Sequence, residues 1–407
     1  KIQIKTHSKT MKLAVSMFAL GSVLVESFSI KAWPAKSSIR NVKMNYAFET
    51  QNPFMDELKA TAKTISGRGR GILASDESNA TTGKRLATID LDNTPENRRD
   101  WRELLYTAPD LGKYISAAIL FEETLFQDSA SGKPLVEILK DGGIIPGIKV
   151  DTGLQPLPFS DGETATQGLD GMGERMKKYY ERGARFCKWR AVIKVDDVYP
   201  TEKAIWENCH GLARYAQIAQ ENGLVPIVEP EVTLGEGDYS IERTAYISEK
   251  VNSQVMRWLN EYDVCLDAIL LKPNMILPGL DAAIPPPSVV AKYTVMVMKR
   301  TIPAAVPGIH FLSGGMSAEE STLNLQALQE EYPNAPWSLT FSYGRALQSP
   351  TLKTWKGKPE NKAAAQEMLT KLAKANSEAQ LGKYKGPHPY PGDGRILQAL
   401  RLGGAGK

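Results

Sequence analysis

From residue 45 onward, two hydrophobic periods take turns along the chain. Short runs rich in β-branched and aromatic residues occur at 71–76, 114–122, 144–151, 184–195, 224–232, 268–274, 309–314 and 337–342. Several are continuously apolar, as parallel strands covered on both faces must be. The stretches between them repeat at helical spacing and carry helix-start signals. Thr94-Pro95-Glu96 offers an N-cap and a first-turn proline. Ser317-Ala318-Glu319-Glu320 reads as a capping box, followed by Leu325, Leu328 and Tyr332 on one face. Residues 361–383 form a further Ala/Lys/Glu-rich helix, and Gly and Pro dominate after Gly382.

Eight strand-then-helix units with no linker between them predict an α/β chain folded as a single (β/α)8 TIM barrel over residues 45–383, with a flexible tail at 384–407. An open doubly wound sheet would favour a GxGxxG turn after its first strand. The first strand here ends in Ser75-Asp76-Glu77-Ser78 instead.

Barrel strands are apolar inside, yet these carry charge toward their C-terminal ends. Asp76 ends the first, and Lys149 with Asp151 the third. Lys188 and Arg190 lie in the fourth, Glu229 and Glu231 in the fifth, and Lys272 in the sixth. The pairs are spaced i, i+2, so both members face one side. Such a barrel builds its active site at that end. Lys272 follows Ile269-Leu270-Leu271. Burial and neighbouring cations (Lys188, Arg190) would favour its neutral amine, the form that attacks a carbonyl. Glu229 and Glu231 are candidate proton carriers for such chemistry. The last two strands end in Ser313-Gly314-Gly315 and Ser342-Tyr343-Gly344-Arg345. Glycine N–H groups and an arginine there suit a phosphate. Lys149 would lie across the mouth, so two phosphate sites would flank a lysine.

Charge and composition narrow the partners. The 407 residues carry a formal charge of +4. Residues 1–44 hold eight Lys/Arg against Glu26 alone, leaving 42 basic and 45 acidic residues in the remainder. The basicity belongs to the leader, so nucleic acid is not an expected partner. From Met11 the leader reads as a signal peptide, and residues 28–44 as a Ser-rich, acid-poor transit segment. It resembles the bipartite leaders of complex algal plastids, with Phe28 after the cleavage point. Plastid (stromal) import is therefore expected, with a cytoplasmic location as the alternative and no membrane anchor in the mature chain. Cys187, Cys209 and Cys265 have no CxxC spacing. His7, His210, His310 and His388 form no HxH or HxxxH pair, so no metal and no cofactor are expected.

Ile72-Leu73-Ala74-Ser75-Asp76-Glu77-Ser78, Gly147-Ile148-Lys149-Val150-Asp151, Lys188-Trp189-Arg190, Val228-Glu229-Pro230-Glu231, Leu270-Leu271-Lys272-Pro273-Asn274, Phe311-Leu312-Ser313-Gly314-Gly315 and Thr340-Phe341-Ser342-Tyr343-Gly344-Arg345 resemble the strand motifs of class I fructose-bisphosphate aldolases, in the family's order. The resemblance implies metal-independent, reversible cleavage of fructose 1,6-bisphosphate, in glycolysis, gluconeogenesis or the Calvin cycle. It makes Lys272 the Schiff-base lysine and Glu229 the proton-transfer group, with Glu231 its acidic partner. Asp76 would act on the C4 hydroxyl, with Lys188 beside the nucleophile and Arg190 a nearby cation. Ser313, Gly314, Gly315, Ser342, Gly344 and Arg345 would bind one phosphate. Ser78, Arg85 and Lys149 would bind the other end, with Thr81 standing where many relatives have serine. A homotetramer is implied. Family members usually end in a tyrosine that assists proton exchange; this sequence ends in Gly-Gly-Ala-Gly-Lys407 with Tyr384 and Tyr390 upstream, which leaves open whether either takes that role. Three rivals stand beside this reading. One is a metal-dependent aldolase. The second is another Schiff-base barrel, such as a transaldolase or a sedoheptulose-bisphosphate aldolase. The third is a non-enzymatic scaffold.

Overall fold

A computed structural model describes residues 51–234 and 237–392. The leader, with Phe28, and the last residues of the tail lie outside the described residues. Eight parallel strands close a barrel: β1 (Gly71–Ser75), β2 (Ile115–Leu120), β3 (Ile145–Lys149), β4 (Phe186–Val195), β5 (Val225–Leu234), β6 (Leu270–Leu271), β7 (Gly308–Phe311) and β8 (Ser338–Tyr343). β8 returns to β1 through Ile72↔Ser342 and Leu73↔Tyr343. Each strand falls within or against an expected run.

Strand periodicity sorts the side chains into two cores. Ile72, Ala74, Ala117, Ile119, Phe186, Val225, Ile227 and Leu270 fill the barrel interior. Helix Met55–Ile65 closes its lower end with Met55, Leu58, Ala62 and Ile65. The alternate residues, such as Leu73, Ile309, Phe311 and Phe341, face outward and pack under the helices. Gly147 belongs to the interior line because a Cβ there would come within 2.2 Å of the Phe186 ring.

Three features depart from the expected outline. β4 and β5 stay paired to Val195↔Leu234, well past the level of Lys188 and Glu229. β6 is only two residues long, because Pro273 has no N–H to extend the ladder. Lys272 N–H still reaches the Val228 carbonyl at 2.8 Å, so the lysine is held at the strand's end. A hairpin, Gly153–Pro156 with Thr164–Gln167, follows β3 and was not expected. Its strands are short and mostly polar, so they lack a clear hydrophobic period.

The expected helix starts are present. Thr94 Oγ1 accepts the Asn97 N–H, with Pro95 in the first turn. Ser317 and Glu320 form the reciprocal capping box. The helix expected at 361–383 runs Lys362–Gln380. Beyond it, Tyr384 N–H donates to Gln326 and His388 is buried.

Candidate active site

Continuing each interior line by two residues puts charge where apolar side chains end. Asp76 follows Ile72 and Ala74, Lys188 follows Phe186, Glu229 follows Val225 and Ile227, and Lys272 follows Leu270. These four meet. Lys272 Nζ lies 3.0 Å from Glu229 Oε1. Lys188 Nζ lies 3.4 Å from the other oxygen of Glu229 and 2.8 Å from Asp76 Oδ2. Amine and carboxylate therefore alternate along one ionic chain. The sequence predicted cations around Lys272; the structure puts a carboxylate between the two lysines. Lys272, Glu229 and Lys188 are all buried, and their neighbours below are hydrocarbon.

The electrostatics follow from that alternation. Burial alone would raise the Asp76 carboxyl. Attraction from Lys188, then Lys272, outweighs it and holds Asp76 well below the usual carboxylate range. Burial alone would lower the Lys188 ammonium. Asp76 and Glu229 outweigh that and keep it above an ordinary lysine. Asp76 and Lys188 thus stay ionised at neutral pH.

A second group lies toward the rim. Arg190 Nε donates to Glu231 Oε2. A Cβ built on Gly314 would lie 3.5 Å from Glu231 Oε1 and 3.8 Å from Arg345 Nη2. Glu231 therefore sits with two guanidiniums beside a bare backbone. Burial would raise its carboxyl, but Arg190 and then Arg345 lower it below the usual value. Gly315 has φ +81, a conformation glycine adopts without strain. Gly344 precedes helix Arg345–Trp355, which no side chain caps, an arrangement suited to an anion. Ser313 and Ser342 are buried beside these turns.

The remaining expected residues divide. Lys149 Nζ pairs with Asp151 Oδ1 at 2.6 Å. Ser78 caps helix Asn79–Leu86 through the Thr81 N–H, and its hydroxyl lies 3.1 Å from that of Thr81. Arg85, expected at the other end of the substrate, is tied to Glu77 at 2.6 Å.

Two shielded groups, one half-buried and one buried, were not singled out from the sequence. Glu77 also binds Arg102 and Gln348. Its signal was present: it falls on the outward parity, next to an inward Asp76. His310 lies inside the barrel, with Nε2 3.2 Å from Ser66 Oγ. Burial, then the Lys272 charge, pushes its ring down to about 3. Among the described residues no group of three His, Cys, Asp or Glu could hold a metal ion. No described helix is long and apolar enough to cross a membrane.

Comparison with known proteins agrees with this geometry. The family model for class-I fructose-bisphosphate aldolase matches residues 57–395. The chain is 56 % identical to Arabidopsis thaliana fructose-bisphosphate aldolase 4, cytosolic, covering 81 % of this chain and 84 % of that one. It is 55 % identical to the chloroplastic fructose-bisphosphate aldolase 3 of the same plant, over the same shares. A solved Plasmodium falciparum fructose-bisphosphate aldolase, in complex with TRAP and a small-molecule inhibitor, superposes with a TM-score of 0.80 at 52 % identity. The match covers 82 % of this chain and 96 % of that one.

Proposed function

Because this chain belongs to the class I fructose-bisphosphate aldolase family, and so cleaves fructose 1,6-bisphosphate reversibly to dihydroxyacetone phosphate and glyceraldehyde 3-phosphate, we propose that Lys272 is its imine-forming nucleophile and Glu229 its proton carrier. The observation that carries this reading is the 3.0 Å contact between Lys272 Nζ and Glu229 Oε1. Glu229 takes a proton from the Lys272 ammonium, and the freed amine attacks the C2 ketone. The protonated Glu229 then gives its proton to the carbinolamine hydroxyl, which leaves as water. The resulting iminium draws electrons from the C3–C4 bond. As Asp76 removes the C4 hydroxyl proton, that bond breaks and glyceraldehyde 3-phosphate departs. The electron pair remains on the enamine, which is protonated at C3 and hydrolysed to dihydroxyacetone phosphate, regenerating Lys272.

Lys188 holds Asp76 and Glu229 in place and keeps Asp76 ionised. Gly314, Gly315, Gly344 and Arg345, with Ser313 and Ser342, bind the phosphate nearest the imine. Glu231 and Arg190 brace Arg345. Ser78, Thr81, Arg85 and Lys149 receive the distal phosphate. A coupled cleavage assay on the purified barrel, with and without EDTA, tests the whole reading. Turnover unchanged by EDTA is expected, and loss of turnover with EDTA would contradict it.

The basic, acid-poor composition of residues 1–44 supports import into a plastid, with the barrel at 45–383 and the tail at 384–407. The relatives include cytosolic and chloroplastic forms. A fluorescent fusion of residues 11–60 should accumulate in the plastid; a cytosolic fusion would refute import. The family resemblance supports a homotetramer, which light scattering would read directly.

A further inference from the structure

Behind the reacting lysines lies an ionic cluster that the reaction does not consume. Glu77 follows Asp76 but turns to the other side of the barrel wall. Its Oε2 accepts from Arg102 Nη1 at 2.7 Å. Its Oε1 accepts from Arg85 Nη1 at 2.6 Å and from Gln348 Nε2 at 2.8 Å. Two guanidiniums thus share one carboxylate. Arginine cannot shed its proton, so one positive charge is left over.

The two arginines are not equivalent. The Arg102 side chain is 2 % exposed, and its Nη2 is occupied by the Glu77 carbonyl and the Thr82 hydroxyl. The Arg85 side chain is 25 % exposed. Among the described residues its guanidinium has no hydrogen-bond partner besides Glu77. The surplus charge therefore rests on Arg85, with donors left for an oxyanion.

Glu77 also joins three pieces of the site. A Cβ on Gly344 would lie 3.8 Å from Glu77 Oε1 and 3.3 Å from the Ala74 carbonyl. Gln348, in the first turn of the helix that begins at Arg345, also donates to the Ala74 carbonyl at 2.6 Å. One carboxylate thus fixes the end of β1, the helix carrying Ser78, Thr81 and Arg85, and the helix carrying Arg345.

We propose that Glu77 is a positioning residue that aims Arg85 at the phosphate distal to the imine, and so sets the preference for bisphosphorylated over monophosphorylated ketoses. This rests on the assignment of Arg85 to the distal-phosphate side. Without the negative charge, Arg85 and Arg102 repel and Arg85 leaves its aimed position.

The test compares KM and kcat for fructose 1,6-bisphosphate and fructose 1-phosphate, which lacks the distal phosphate. The proteins are wild type, Arg85→Met, Glu77→Gln, Glu77→Asp and the Arg85→Met/Glu77→Gln pair. Arg85→Met and Glu77→Gln should each raise KM for the bisphosphate about tenfold. Each should raise KM for fructose 1-phosphate far less than KM for the bisphosphate, so the ratio of the two kcat/KM values falls about tenfold. The double variant should show no further change in the ratio, because both substitutions remove one interaction. Glu77→Asp keeps the charge and should restore part of the preference; it also carries the test if Glu77→Gln does not fold. The proposal is overturned if folded Glu77 variants affect both substrates alike while Arg85→Met affects only the bisphosphate. If Arg85→Met itself leaves the ratio unchanged, the distal-phosphate assignment fails, and the proposal fails with it.

Discussion

Asp76 and Glu77 are adjacent carboxylates that meet opposite fates. Both are largely shielded, and both are held below their usual range by cations. Asp76 enters the barrel and meets the amine of Lys188. Glu77 leaves it and meets the guanidiniums of Arg85 and Arg102. Lysine can give up its proton, so a lysine–carboxylate chain can move protons and expose a nucleophile. Arginine cannot, so an arginine–carboxylate cluster can only hold positions and charge. The wall of β1 separates a site that reacts from one that aims.

That contrast can be broken most sharply at Glu229. Glu229→Gln removes the proton carrier between Lys272 and Lys188, so kcat should fall by about 10²–10⁴-fold. Lys188 keeps Asp76 as its partner, so stability should change much less than activity. Equal loss of both, read by assay and urea unfolding, would erase the distinction. Glu77→Gln should behave in the opposite way. Two permanent cations would be left without a counterion, and breaking such a buried pair costs about 3–5 kcal/mol. Urea midpoints would show that loss, while a stability close to wild type would mean the cluster is solvated.

A smaller effect concerns acid. Asp76 in the unfolded chain titrates near 3.8 and in the fold lower still. As pH falls through that window the unfolded chain binds its proton first, so the stability contributed by the ion pair is lost. Asp76→Asn should flatten the decline of unfolding free energy below about pH 4, by at most about 1.4 kcal/mol per pH unit. His310 works on the same side but earlier. Its ring is pushed from 6.5 to about 3, so the unfolded chain gains that proton first as well. An acid limb unchanged in Asp76→Asn would place the sensitivity elsewhere.

Much of this was legible in the sequence because a barrel strand has a strict period of two. Ile72, Ala74 and Asp76 announce an inward carboxylate, and Leu270 with Lys272 an inward amine. The cap at Thr94 and the capping box at Ser317 were equally local, and both are present. What could not be read depended on distant partners. Arg102 lies 25 residues from Glu77, on a separate helix whose rotation no local pattern sets. Gln348 lies 271 residues from Glu77. The tie between Arg85 and Glu77 was therefore not read from the sequence. The bridging place of Glu229 was hidden for the same reason, since parity gives a side but not a neighbour. β6 was expected over 268–274 and is two residues long, because Pro273 inside that run has no N–H for the ladder.

The most direct test of the account is borohydride reduction in the presence of dihydroxyacetone phosphate, followed by peptide mapping. A single reduced adduct on Lys272, absent from Lys272→Ala, is the predicted result. An adduct on Lys188 or Lys149, or full labelling of Lys272→Ala, would contradict it.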